Sequence, residues 1–177
     1  MSRRPLDAYY TPDTLAEKLV GLLPVRRGAA VVEPSVGGGA FARALRLQGA
    51  GVVGCDIDPQ AAGFVDCVRH QVGDFLTTPL DVEPDWVIGN PPFRGFEAHL
   101  DRALQMAPEV AFLLRLAVME SAGRVARWVS WPLARVWVLA ERPSFTGGGT
   151  DSAAYGWFWF SRSHTGHPTV TPGWSWK

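Results

Sequence analysis

Short, nearly unbroken apolar runs alternate along the chain with segments whose apolar positions recur every three or four residues. The runs AAVVEP (29–34), GVVGCDID (51–58), HQVGDF (70–75), DWVIGN (85–90), VAFLLRL (110–116), ARVWVLA (134–140) and AYGWFWF (154–160) read as strands. Between them FARALRLQG (41–49), FEAHLDRALQMA (96–107) and ESAGRVARWVS (120–130) have helical periodicity. A further helix is expected through DTLAEKLVGLL, with Thr11 as its cap and Pro12 in its first turn. Strands this apolar are buried on both faces, so the pattern predicts a mostly parallel, seven-stranded sheet with helices on both sides. The tail HTGHPTVTPGWSWK has neither period and reads as loop.

Composition adds constraints. At 177 residues, nearly half of them apolar, the chain suits one globular domain spanning 1–177. Lys+Arg and Asp+Glu both number 17, so net charge points to no polyanionic partner and any nucleic-acid surface must be local. Two cysteines outside any CxxC pair exclude a disulfide scaffold and suit a reducing, cytoplasmic setting. No apolar run reaches membrane-spanning length, and the basic N-terminus lacks the apolar stretch of a signal peptide. His164 and His167 have no cysteine or carboxylate cluster beside them, so no metal is expected.

In an open parallel sheet, ligands bind beyond the carboxyl ends of the strands. The first strand ends in EPSVGGGAF, whose glycines let the backbone turn tightly or approach a ligand. The lysine and hydroxyl of a phosphate loop are missing, and Glu33 suits a cationic ligand better than a pyrophosphate. Asp56, about twenty residues on, stands where an acid can take both ribose hydroxyls. Asp74 can accept from an exocyclic amine, and Phe75 can pack on a ring. Singly, each acid is as well suited to a turn or cap. The fourth strand ends in Asn90-Pro91-Pro92-Phe93, which can neither extend a sheet nor start a helix.

Together these residues resemble the class I S-adenosylmethionine-dependent methyltransferases, specifically those that modify adenine N6 in DNA. Asn90, Pro91, Pro92 and Phe93 match the family's Asp/Asn/Ser-Pro-Pro-aromatic motif, and Glu33, Gly37 and Gly39 match its cofactor loop. Tyr9, Tyr10, Thr11 and Pro12 match an N-terminal segment that closes over the cofactor, in the gamma order of motifs. RPSFTGGGTDSAAYGWFWF resembles the C-terminal part of small, phage-type members. The likeness runs from Tyr9 to Phe160 and implies a Rossmann-like class I methyltransferase fold with S-adenosyl-L-methionine as cofactor. It implies a cofactor site of Tyr10 and Thr11; Glu33, Pro34, Ser35, Gly37, Gly39 and Phe41; Asp56 and Ile57; Asp74 and Phe75; and Asn90.

The resemblance also gives the Asn-Pro-Pro-Phe motif a mechanism. A purine amine is a poor nucleophile because its lone pair is delocalised into the ring. Acceptance by the Asn90 side chain and the Pro91 carbonyl draws it toward tetrahedral geometry, and the prolines hold both acceptors in place. Phe93 offers a face to a base extracted from a duplex. Tyr155 is expected on the base's other side, with Trp157 as the alternative and core packing as the competing role for each. Arg115 and Arg142 suit phosphate contacts or a solvated surface equally. The substrate expected first is DNA adenine; RNA adenine, a protein glutamine, or a cofactor-binding module without catalysis are the other readings. No stretch separate from the methyltransferase core reads as a target-recognition domain, so low sequence specificity is expected, with the loop 142–152 touching neighbours of the base.

Overall fold

The computed structural model describes residues 10–145 and 152–177. Its strands are β1 (Ala30–Glu33), β2 (Gly51–Asp56), β3 (Arg69–Val72), β4 (Trp86–Gly89), β5 (Glu109–Arg115), β6 (Leu133–Leu139), β7 (Tyr155–Ser161) and β8 (Thr169–Trp174). Its helices are α1 (Asp13–Val20), α2 (Ala40–Leu47), α3 (Phe96–Met106) and α4 (Val125–Ser130). The strands form one sheet in the order β3-β2-β1-β4-β5-β7-β6-β8. Only β7 runs antiparallel to its neighbours, β5 and β6. The order reverses between β1 and β4, whose carboxyl ends therefore flank the crevice where such sheets take ligands.

Alternation along the strands divides the core into two layers. Val31, Ile88, Leu113, Trp137 and Trp157 face a cluster shared with Leu15 and Leu19 of α1 and Phe41 and Leu45 of α2. Val32, Val87, Phe112, Val136 and Phe158 face the other cluster, with Phe96 and Leu100 of α3 and Trp131. Helices thus cover both faces, as the continuous apolar runs predict. Tryptophans act as struts: Trp131 donates to Asp101 at 2.8 Å, and Trp128 donates to the Val118 carbonyl at 3.1 Å. No helix among the described residues is long and apolar enough to cross a membrane.

Three expectations are corrected. The sheet has eight strands, because the segment read as loop supplies β8, parallel to β6. This edge strand is mostly exposed and contains Pro172 and Gly173, so it lacks the alternation of a strand packed on a core. The third inter-strand helix is short: a 3-10 turn at Ala122–Arg124 precedes α4, after Ser121 at φ 121°. Thr11 does not cap α1, whose cap position is Pro12; its hydroxyl is used by Asn90 instead.

Candidate active site

Two adjoining clefts open at the carboxyl ends of β1, β2 and β4. The larger, about 310 Å³, is lined by Pro34, Ser35, Asp56, Ile57, Asp74, Phe75 and the whole Asn90–Phe93 motif. The smaller, about 30 Å³, is lined by Thr11, Glu33, Gly39 and Phe41. Tyr10, Ser35, Gly37 and Asn90 line both. All thirteen residues expected to hold the cofactor, and all four of the catalytic motif, are therefore brought to one place. Tyr9 and the glycines of the loop 142–152 lie outside the described residues.

The glycine loop is shaped by close approach. Gly39 has φ +80°, and a Cβ there would stand 2.4 Å from the Gly63 Cα, so only glycine fits. Gly37 has φ +48° with the Tyr10 ring packed over it, where a Cβ would come within 3.1 Å of that ring. Its N–H donates to Asp56 Oδ2 at 2.7 Å, while Asp56 Oδ1 accepts from the Asp58 N–H at 2.9 Å. Asp56 thus ties the loop to the end of β2. Each carboxylate oxygen keeps a second lone pair, which leaves capacity for a diol in the cleft.

Glu33 is 1% exposed, and its Oε2 has no partner among the described residues. Burial holds its carboxyl well above the ordinary range; the Ala42 amide pulls the other way, and neighbouring Asp56 adds to the rise. A buried acid with an idle oxygen, in the smaller cleft, is chemically matched to an ammonium group.

Asn90 donates through Nδ2 to Thr11 Oγ1 at 3.2 Å. That leaves its Oδ1 buried and without a donor among the described residues. The N-terminal segment therefore fixes which way the amide faces, and presents its carbonyl as an acceptor stripped of water. Phe93 lies 4.2 Å from the Arg115 guanidinium carbon and 5.7 Å from the Tyr155 ring. Arg115 Nε donates to the Tyr155 hydroxyl at 3.1 Å, so both residues brace Phe93.

Two expected base-binding residues do not line the cleft. Tyr155 is 1% exposed and Trp157 fully buried, because β7 is an interior strand whose alternate side chains enter the core. Trp157 stacks on Phe41 at 5.4 Å and 7°. Phe75 is 2% exposed with His99 and Arg102 against its ring, so the ring supports the cleft wall more than it opens to it. His99 also lines the cleft and belongs to no motif; its signal in the sequence is a polar residue within the apolar stripe Phe96, Leu100, Ala103 of α3.

No family profile matches the chain. A type II methyltransferase of Thermus thermophilus is 37% identical over 95 residues, which cover 52% of this chain and 22% of that protein. The chain thus matches less than a quarter of the length of this curated relative. The fold matches a protein of Pyrococcus horikoshii described provisionally as an RNA methyltransferase, with TM-score 0.73, 19% identity and 90% of each chain covered. It also matches the methyltransferase subunit of a type I restriction-modification system from Streptococcus thermophilus. There the TM-score is 0.73 and the identity 15%, over 93% of this chain and 47% of the other. The chain has the Rossmann-like fold of class I methyltransferases, and over part of its length it is similar in sequence to a methyltransferase, in line with the resemblance of its motifs.

Proposed function

We propose that the chain is an S-adenosylmethionine-dependent methyltransferase acting on the exocyclic N6 amine of adenine in DNA. The observation that carries this reading is the Asn90 amide, oriented by Thr11 and left with a buried carbonyl that no group among the described residues satisfies. An unsatisfied buried acceptor is costly, and an incoming N–H donor removes that cost. The cofactor supplies an electrophilic methyl group on a sulfonium. Glu33 receives its ammonium group, Asp56 its ribose hydroxyls, and the Asp74 wall its adenine, while Tyr10 covers the glycine loop.

The chain's own part in the reaction is to turn a weak nucleophile toward the methyl group. Asn90 Oδ1 and the Pro91 carbonyl accept hydrogen bonds from the two amine N–H groups and localise the nitrogen lone pair. Pro91 and Pro92 hold those acceptors before the substrate arrives, so little reorganisation remains at the moment of transfer. Phe93, braced by Arg115 and Tyr155, gives the extracted base a fixed face. Asn90 is neutral and takes no proton; the amine proton leaves to solvent after transfer.

The sequence likeness to a type II methyltransferase supports DNA as bearer of the adenine. Asn90→Ala is the direct test of the mechanism. Turnover with a methylatable substrate should fall by on the order of 10²–10³, while calorimetry with S-adenosylhomocysteine should show cofactor affinity largely kept. Turnover near that of the wild type would remove Asn90 from the mechanism.

A further inference from the structure

Helix α3 turns its stripe of Phe96, His99, Leu100 and Ala103 into the protein, and this register carries the one histidine of that helix into the wall of the larger cleft. His99 is 6% exposed and stacks on Phe75 at 5.8 Å and 23°. Its Nδ1 lies 3.2 Å from the Gly95 carbonyl oxygen. A carbonyl only accepts, so Nδ1 carries the ring proton and Nε2 of the neutral imidazole is a bare acceptor. Burial keeps the ring neutral by lowering its pKa, against the opposing pull of the Gly95 carbonyl and of Asp74. No group among the described residues bonds to Nε2.

Asp74 stands at the same wall, near enough for its charge to act on His99. Its Oδ1 accepts from the Leu76 N–H at 2.9 Å, and its other oxygen makes no bond to the described residues. One stretch of the cleft thus offers two acceptors beside an aromatic ring. An exocyclic amine has two protons to give and, when conjugated, little to accept with. A 6-oxo purine brings a third acceptor to the same spot, leaving lone pairs facing one another without a proton between them.

We propose that His99 Nε2 and the Asp74 carboxylate jointly accept the two protons of the cofactor's adenine amine, which makes His99 a specificity-determining residue for a 6-amino purine. The inference rests on the cofactor reading above and extends it to a residue outside every sequence motif. Because α3 follows directly from the Asn-Pro-Pro-Phe turn, the same helix then registers both the cofactor's ring and the catalytic amide.

Calorimetry with S-adenosylhomocysteine and its 6-oxo analogue, S-inosylhomocysteine, tests the proposal on wild type, His99→Phe and His99→Gln. The wild type should prefer the amine by about 100-fold or more, as sites built around a hydrogen bond do. His99→Phe keeps a ring against Phe75 but removes the acceptor, and should cut that preference by about tenfold, the scale of one hydrogen bond. His99→Gln, which restores an acceptor oxygen, should recover part of it. An unchanged preference in His99→Phe overturns the role of His99 and leaves the cofactor reading standing; a wild type that binds neither ligand overturns both. Should the substitutions unfold the chain, ¹⁵N spectra of the wild type decide. The His99 Nε2 resonance should move upfield with S-adenosylhomocysteine and stay in place with the 6-oxo analogue, and a resonance unmoved by the former overturns the proposal.

Discussion

Asp56 and Glu33 show how the two adjoining clefts give two acids different work. Both oxygens of Asp56 already hold backbone N–H groups, so the residue organises the glycine loop as well as lining the cleft. Asp56→Ala should therefore weaken S-adenosylmethionine and S-adenosylhomocysteine binding by roughly 1.5–3 kcal/mol, measured by calorimetry. Unchanged affinity would place the ribose elsewhere. Glu33 is held above its ordinary pKa by burial, so the native state keeps a proton that the unfolded chain has lost. Stability contributed by this group is present below the unfolded value of 4.5 and declines as pH rises toward the raised native value. Glu33→Gln, which does not titrate, should remove that decline, so the stability of the wild type relative to the variant should fall with rising pH in chemical denaturation. An ammonium ligand favours the ionised acid, and its binding in that pH window should release a proton.

At the scale of elements, the apolar runs located β1, β2 and β4 to β7 because these interior strands are buried on both faces, whereas β3 is an exposed edge strand with a weaker pattern. They missed β8, since an exposed edge strand with a proline is held by backbone pairing with β6 and has little apolar signal. The candidate site was legible wherever chemistry and backbone demand coincide: glycines that must be glycines, acids at strand ends, prolines that fix a turn. The choice between base contact and core packing at Tyr155 and Trp157 was not legible, because a run such as YGWFWF does not say which residues face the core until the neighbouring strands are known. Thr11 was read as a helix cap, and only the fold reveals that its hydroxyl meets Asn90, 79 positions away. Gly39 offers a test at this scale. Gly39→Ala places a Cβ 2.4 Å from the Gly63 backbone in a left-handed conformation. The substitution should destabilise the protein by roughly 2–4 kcal/mol, from backbone strain and overpacking together, as read in denaturant unfolding. A loss below about 0.5 kcal/mol would mean that the loop moves aside at little cost.

Across the whole molecule, the sheet gathers every expected cofactor residue at one end, and the Asn-Pro-Pro-Phe turn stands at the reversal of strand order between β1 and β4. Equal numbers of acidic and basic residues leave no global field to draw in a polyanion. In the proposed reading, recognition of substrate falls to local groups around Phe93, with Arg115 against the ring and Arg94 in the cleft. The proposed activity depends on an amine held by Asn90 and Pro91 more than on affinity for nucleic acid. The most direct measurement is incubation with methyl-labelled S-adenosylmethionine and DNA, RNA or protein in parallel, followed by hydrolysis and identification of the labelled product. Label should appear in N6-methyldeoxyadenosine and be lost with Asn90→Ala. Label on a ring carbon or an oxygen, or no transfer to any of the three by a protein that binds the cofactor, would contradict the proposed activity.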